Sequence, residues 1–500
     1  MNKSCYCLLL ISFSFLQMNI TDLPIRNNFD YQFNREDFSQ IKTYRNEEEL
    51  IQFIENTINV NLIPGLSVSV SKNGNLVWEK YFGYANLEDG IIVDENTMFI
   101  LSSISKTITA TALMHLFENS SFSLDDDIDD YLPFNVNHPN YPFIPISFRM
   151  LLAHTSGIND NWNVMPYYEG DSPFDLQDYL TQYFTPGSEL YYSNANFTNS
   201  MPGENFNYSN IGAALIGLLV EEISNISFNQ YCINHIFEPL QMNDSFWFLS
   251  EIEDTRQVAV PYQQSGGTGT SCYDIGCGYY NEESCYCDDL CSYYEDCCND
   301  YEFVCGENGT GSNPDNLTTF QNYGYSDYPA GQLRSSSNNL GKFMQMYLND
   351  GIFNGTRILE PETIALIKNV QFPAINSQQA LMWYYKNSDE RYLFGHNGGD
   401  IGSLTEMFIS FENDIGVVLL SNSNNYNGLI EIEKALFNFA DENSFTILGD
   451  LNSDSYINIQ DIIIIVNLIL IGSYVNIADL NYDDIIDILD VIQILNIIIN

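Results

Sequence analysis

Three serines in this chain stand three residues ahead of a lysine: Ser39 with Lys42, Ser69 with Lys72 and Ser103 with Lys106. A serine hydroxyl is a poor nucleophile until a neighbouring base takes its proton, and a lysine serves as that base once burial strips its own. Backbone context separates the three. Ser69 and Lys72 lie in the alternating run Gly65-Leu-Ser-Val-Ser-Val-Ser-Lys72, which reads as a strand, where positions three apart point to opposite faces. Ser39 and Lys42 occupy a polar stretch ahead of the folded body. Ser103 heads the apolar-periodic segment 104–117, and on a helix positions three apart share a face. Ser103 is therefore the expected nucleophile and Lys106 its base, with the positive helix N-terminus favouring the developing alkoxide. Alone, such a pair reads rather as an N-cap serine and a solvated lysine one turn on, so companions are needed.

The elements that must position this pair span residues 45–445. Two period-two runs flank Asn73-Gly74, a strong hairpin signal, and residues 404–421 read as a second hairpin. Between them lie helical patterns at 104–117, 211–223 and 339–347. Strands at both ends with helices between predict a mixed α+β domain: one antiparallel sheet built from both ends, plus a helical lobe.

Five motifs follow in order: Ser103-Ile-Ser-Lys106, Leu151-Leu-Ala-His-Thr-Ser-Gly157, Pro202-Gly-Glu-Asn-Phe-Asn-Tyr-Ser-Asn210, Pro329-Ala-Gly-Gln-Leu333 and His396-Asn-Gly-Gly399. On these the chain resembles the class C beta-lactamase and penicillin-binding-protein-like serine hydrolases, over nearly all of residues 50–440 outside one insert. The resemblance implies acylation of Ser103, a base pair made of Lys106 and Tyr208, and Asn210 holding Lys106 and the substrate amide. It also implies that His396, Asn397 and Gly398 line the site and that the backbone N–H groups of Ser103 and Gly399 form the oxyanion hole. Pro186-Gly-Ser-Glu-Leu-Tyr-Tyr-Ser-Asn194 repeats the tyrosine motif at the same spacing, so Tyr192 competes with Tyr208. Tyr208 is preferred because the apolar run 211–222 follows it as the packed helix. The beta-lactamases usually carry Lys-Thr-Gly where His396 begins the strand motif, which turns the expected substrate toward esters or peptides. His154 is expected to hydrogen-bond beneath the site.

Composition sets the surroundings. Seventeen basic residues against 66 acidic ones give a formal charge of -49, which repels nucleic acid and anionic lipid surfaces. Lys3 followed by the apolar run 7–16 has the order and length of a secretory signal, assigned to residues 1–19, and is too short to span a bilayer. Eight of the eleven cysteines fall between Cys272 and Cys305, which reads as a disulfide framework formed in an oxidising compartment. The segment 268–310 resembles a somatomedin-B domain, whose four bridges sequence leaves open among 105 pairings. It implies a protein-binding knob, with a passive lid or rim beside the active site as the alternative. Cys232, in an apolar stretch, is expected as a buried free thiol.

Residues 448–500 carry a tandem repeat with oxygen ligands at loop positions one, three, five, nine and twelve. These are Asp450, Asn452, Asp454, Asn458 and Asp461, then Asp479, Asn481, Asp483, Asp487 and Asp490. The pattern suits calcium, although Ser455 and Asp484 replace the usual glycine at position six. The repeat resembles a dockerin, which implies docking to a cohesin-like partner; its apolar runs are too short for a membrane span. The expectation is a secreted or cell-surface hydrolase with no catalytic cofactor. The alternative is a non-catalytic adhesion or scaffold protein that binds partners through its two added modules.

Overall fold

The computed structural model describes residues 46–264, 317–442, 449–452, 457–481, 483 and 485–499, together with Arg26, Tyr44 and the pairs 280–281 and 285–286. The chain enters the body through α1 (Glu47–Val60), whose N-cap Asn46 accepts a hydrogen bond from the Glu49 amide. The hairpin of β1 (Gly65–Lys72) and β2 (Asn75–Asn86) follows. It turns at Asn73 and Gly74, both left-handed with φ of 52° and 74°, the pair of positive φ values that a two-residue turn between twisted strands requires.

After β3 (Ile91–Ile92) the chain builds the helical lobe: α2 (Ser105–Glu118), α3 (Asn210–Ser224) and α4 (Ser337–Leu348). It returns through β4 (Tyr384–Ser388), β5 (Arg391–Asp400), β6 (Ser403–Ser410) and β7 (Ile415–Ser421), then α5 (Tyr426–Glu442). The seven strands form one sheet in the order β4-β5-β6-β7-β1-β2-β3, with neighbours antiparallel. β7 lies on β1, Leu66 facing Ser421 and Lys72 facing Ile415, so both ends of the body make the sheet, as the strand patterns predict.

Alternation along β1 gives each face its own partner. Leu66, Val68 and Val70 join Leu50, Ile54, Leu429, Ile432 and Leu436 in a core between the sheet and helices α1 and α5. Ser67 and Ser69 turn the other way and bond α4, the Ser67 and Ser337 hydroxyls meeting at 2.6 Å and Ser69 Oγ donating to the Ser337 carbonyl at 3.0 Å. Lys72 Nζ instead donates to the Ala440 carbonyl, so the pleat parts Ser69 from Lys72. In the lobe, α3 is buried on every side from Asn210 to Val220, as a helix apolar all round must be. Cys232 is a buried free thiol, and burial pushes its pKa up.

Two helices, α6 (Ile459–Ile471) and α7 (Ile488–Ile499), close the chain over a small core of Ile465, Ala478, Leu480 and Ile494. Among the described residues no single helix is long and apolar enough to cross a membrane. The segment 1–19, Ser39, Lys42 and Asp454 lie outside the described residues. So does the cysteine-rich insert, apart from a short ladder between Tyr280–Asn281 and Cys285–Tyr286.

Candidate active site

Ser103 sits in a 3-10 turn, Ser102–Ile104, and α2 proper begins at Ser105, a residue later than the periodicity predicts. The difference has a local cause. Ser102 adopts a left-handed conformation with φ of 49°, strained for a residue with a side chain, and the chain tightens before the helix can start. The sheet holds this turn in place. Ser403 Oγ donates to the Ile100 carbonyl and Thr405 Oγ1 to the Leu101 carbonyl, both at 2.8 Å. Gly398 permits the approach, since a Cβ there would stand 2.3 Å from the Leu101 carbonyl oxygen and 2.9 Å from Ser102 Cβ.

Lys106 lies one turn on from Ser103 and is wholly buried. Its Nζ is 3.0 Å from Ser103 Oγ, 2.7 Å from Asn210 Oδ1 and 2.6 Å from the Ala330 carbonyl. Burial lowers its pKa to about 7, with Asp160 and Asp327 opposing the fall and Arg26 adding to it.

Asn210 is aimed by Asp160. The Asp160 carboxylate accepts from the Asn210 side chain at 2.8 Å, from the Asn210 and Ile211 amides at 2.9 and 3.0 Å, and from Ser209 Oγ at 3.0 Å. One buried carboxylate therefore caps α3 and fixes the side chain that touches Lys106. Burial raises the Asp160 pKa against these bonds.

Tyr208 presents its ring 4.9 Å from Lys106 Nζ, whereas Tyr192 is 53% exposed. Of the two competing tyrosines, Tyr208 is the one beside the lysine. The His154 ring lies under it at 4.4 Å, and His154 Nδ1 accepts the Ser209 amide at 3.2 Å, a positioning contact beneath the site. Burial holds the His154 pKa well below its usual value.

Among the described residues β4 pairs β5 only as far as Gly395, and residues 396–400 pair with β6 alone, so the other edge of β5 is unpaired there where it passes the Ser103 turn. Gly398 and Gly399 stand on that stretch. His396 is buried, donates from Nδ1 to the Asn397 carbonyl at 2.5 Å, and is lowered to about 3 by burial and by Lys106. It is neutral at ordinary pH. No residue pattern marks Asp160, Asp327 or Asp400 as part of the site, nor the Ala330 carbonyl by itself. The one signal for Ala330 was its Pro329–Leu333 motif.

In the C-terminal repeat, Asp461 gathers the Leu451, Asn452 and Asn458 amides, and Asp490 does the same for Leu480, Asn481 and Asp487. Asp450 and Asp479 are also buried. Among the described residues these carboxylates do not converge in threes on one point.

A model of the beta-lactamase family matches residues 50–436. This chain belongs to that family. It is 27% identical over 229 residues to Protein flp of Staphylococcus aureus (strain MRSA252), covering 45% of this chain and 43% of flp. It thus spans under half the length of that curated relative. Among solved structures it resembles the octameric penicillin-binding protein homologue of Pyrococcus abyssi, with TM-score 0.54, 23% identity, and 80% and 79% of the two chains covered. It also resembles the D-amino acid amidase of Ochrobactrum anthropi SV3, with TM-score 0.57, 18% identity, and 79% and 100% covered. These likenesses carry the fold: a beta-lactamase-like mixed α+β domain whose antiparallel sheet is drawn from both ends.

Proposed function

We propose that this family member is an exported hydrolase that attacks an ester, a D-amino peptide or a related amide through Ser103 and an acyl-enzyme. The observation that carries the reading is a buried Lys106 Nζ, near neutrality, 3.0 Å from Ser103 Oγ. A neutral amine has two N–H groups and one lone pair. Asn210 Oδ1 and the Ala330 carbonyl can only accept, so serving both leaves the lone pair for the Ser103 hydroxyl proton.

In this reading Ser103 Oγ bonds the acyl carbon as its proton passes to Lys106. The charge that develops on the carbonyl oxygen falls to the backbone N–H groups of Ser103 and Gly399, each such donor being worth about 3 kcal/mol. The leaving group departs with a proton delivered through Lys106 and Tyr208, and water repeats the sequence on the acyl-enzyme. A neutral His396 offers no charge to a substrate carboxylate, which favours esters and amides over beta-lactams. The structural neighbour named as a D-amino acid amidase points the same way.

Labelling with a fluorophosphonate followed by mass spectrometry tests this. The adduct is expected on Ser103 and lost in Ser103→Ala; absence of label, or equal label in the variant, overturns the reading. Tyr208→Phe is expected to lose turnover and Tyr192→Phe to keep it.

The added modules carry a second proposal: calcium binding and docking to a cohesin-like partner by residues 448–500, and protein binding by the cysteine-rich insert. Beyond Lys434 the sequence has no lysine, arginine or histidine, while Asp450, Asp461, Asp479 and Asp490 are buried. Oxygen donors at this spacing fit a hard dication. Asp450, Asn452, Asp454, Asn458 and Asp461 would hold one ion, and Asp479, Asn481, Asp483, Asp487 and Asp490 the other. The exposed apolar faces of α6 and α7, with Leu470 77% exposed, support docking.

A further inference from the structure

Beside the nucleophile lies an acidic, aromatic pocket, and the chain's own Arg26 is in it. The Arg26 guanidinium donates from one terminal nitrogen to Asp327 Oδ1 at 2.5 Å, and the side chains of the two residues are 5% and 1% exposed. It stacks on Tyr325, 3.9 Å from the ring centroid, with the Trp162 and Tyr167 rings at 5.4 and 5.7 Å. Tyr167 Oη in turn donates to the buried Asp400 carboxylate, which feels the Arg26 charge.

The walls of this pocket are continuous with the candidate catalytic centre. Asp327 stands three residues before Ala330, whose carbonyl holds Lys106. Asp400 follows Gly399 directly on β5. Tyr325 reaches Gly331 closely enough that a Cβ there would lie 2.2 Å from its Oη, and the same point is 3.5 Å from the Ser102 backbone. The Tyr325 side chain thus bridges the cation in the pocket and the Ser103 turn.

Resting on the reading of Ser103 as nucleophile, we propose that this pocket is the subsite for a guanidinium or alkylammonium group on the substrate, and that Arg26 fills it as an internal competitor. Asp327 and an aromatic box are what such a cation needs: a carboxylate to pair with and ring faces to stack on. Arg26 leaves part of that capacity unused. Asp327 Oδ2 is buried and has no hydrogen-bond partner among the described residues, so the carboxylate is engaged by one oxygen where a planar guanidinium arriving end-on would pair both. A buried acceptor left unpaired is costly, and an occupant that leaves one so is displaceable.

Two measurements on the full chain test the proposal. In the first, butylguanidinium is titrated calorimetrically into Arg26→Met, which keeps an aliphatic stem, in a Ser103→Ala background so that turnover is irrelevant. Binding is expected there and is expected to weaken roughly ten- to hundredfold on adding Asp327→Asn, the loss for one charge-assisted hydrogen bond pair. Equal weak binding with and without Asp327→Asn would show Arg26 to be a structural anchor only and overturn the subsite.

In the second, the p-nitrophenyl ester of 4-guanidinobutyrate is compared with that of the uncharged hexanoate, with Ser103 otherwise intact. Arg26→Met is expected to raise kcat/KM for the guanidino ester about tenfold relative to the neutral one, and Asp327→Asn to remove that preference. Unchanged selectivity with the neutral ester still hydrolysed would overturn the subsite while leaving the hydrolase reading standing. Binding of butylguanidinium with neither ester cleaved and no fluorophosphonate label would refute the hydrolase reading while retaining a cation site.

Discussion

Below a pH of about 7 the Lys106 ammonium donates to all three of its neighbours and Ser103 keeps its proton; above it, the amine is free to take that proton. Activity should therefore rise with pH through an acid limb near 7, read as kcat/KM for a neutral ester. The positive Arg26 lowers the Lys106 pKa and the negative Asp327 raises it. Arg26→Met should accordingly move the limb to higher pH, and Asp327→Asn in that background should move it back down. His396 titrates at about 3 and should add no inflection between pH 5 and 8; a second limb there would contradict its buried, neutral state. At this scale the sequence was informative only where chemistry is local. Ser103 and Lys106 lie within one turn, and Tyr208 and Asn210 belong to one short motif. Asp160, Asp327 and Asp400 are single aspartates among 66 acidic residues, and only the folded chain says which of them face Lys106.

Two elements are tuned to hold the Ser103 turn and its lysine. Gly398→Ala drives a Cβ into the Leu101 carbonyl and Thr405 Oγ1, and should cost about 1–3 kcal/mol of stability by overpacking, together with activity. Differential scanning calorimetry and ester hydrolysis measure both, and a stable, fully active variant would show that β5 can move away from the turn. Asp160→Asn leaves too few acceptors for the Ser209, Asn210 and Ile211 groups at the head of α3 and should destabilise by about 1–3 kcal/mol. Its kcat should fall further than its melting temperature predicts, because Asn210 loses its aim at Lys106. The strands and helices themselves were legible, because period-two runs around Asn73-Gly74 and apolar runs at 104–117 and 211–223 encode their own geometry. The start of α2 was not. A left-handed Ser102 is imposed by β5 and β6, which come some three hundred residues later in the chain, as the 301-residue separation of Ser102 from Ser403 shows.

At the level of the molecule, charge and topology set the expectations. With a formal charge of -49 and no basic side chain beyond Lys434, the tail should gain helical circular dichroism and melting temperature as calcium is added, and lose both with a chelator. Asp450→Ala with Asp479→Ala should abolish the response; a tail that is equally ordered with and without calcium would remove the metal proposal. The sheet order was readable as strands from both ends, but the register of β7 on β1 was not, since neither strand contains a signal for its distant partner.

That register governs how the protein comes into being. β1 emerges early in synthesis, with every one of its residues up to Ser71 destined for burial, yet its neighbour on one side, β7, is among the last strands made. Until Leu66 meets Ser421, one edge of β1 is an open template and the Ser103 turn has no β5 or β6 behind it. Such long-range closure makes for slow folding, exposed to aggregation in the meantime. The Ser103 and Lys106 pair is therefore brought together only when the sheet is nearly complete, and on the proposed reading a growing chain remains chemically silent until then.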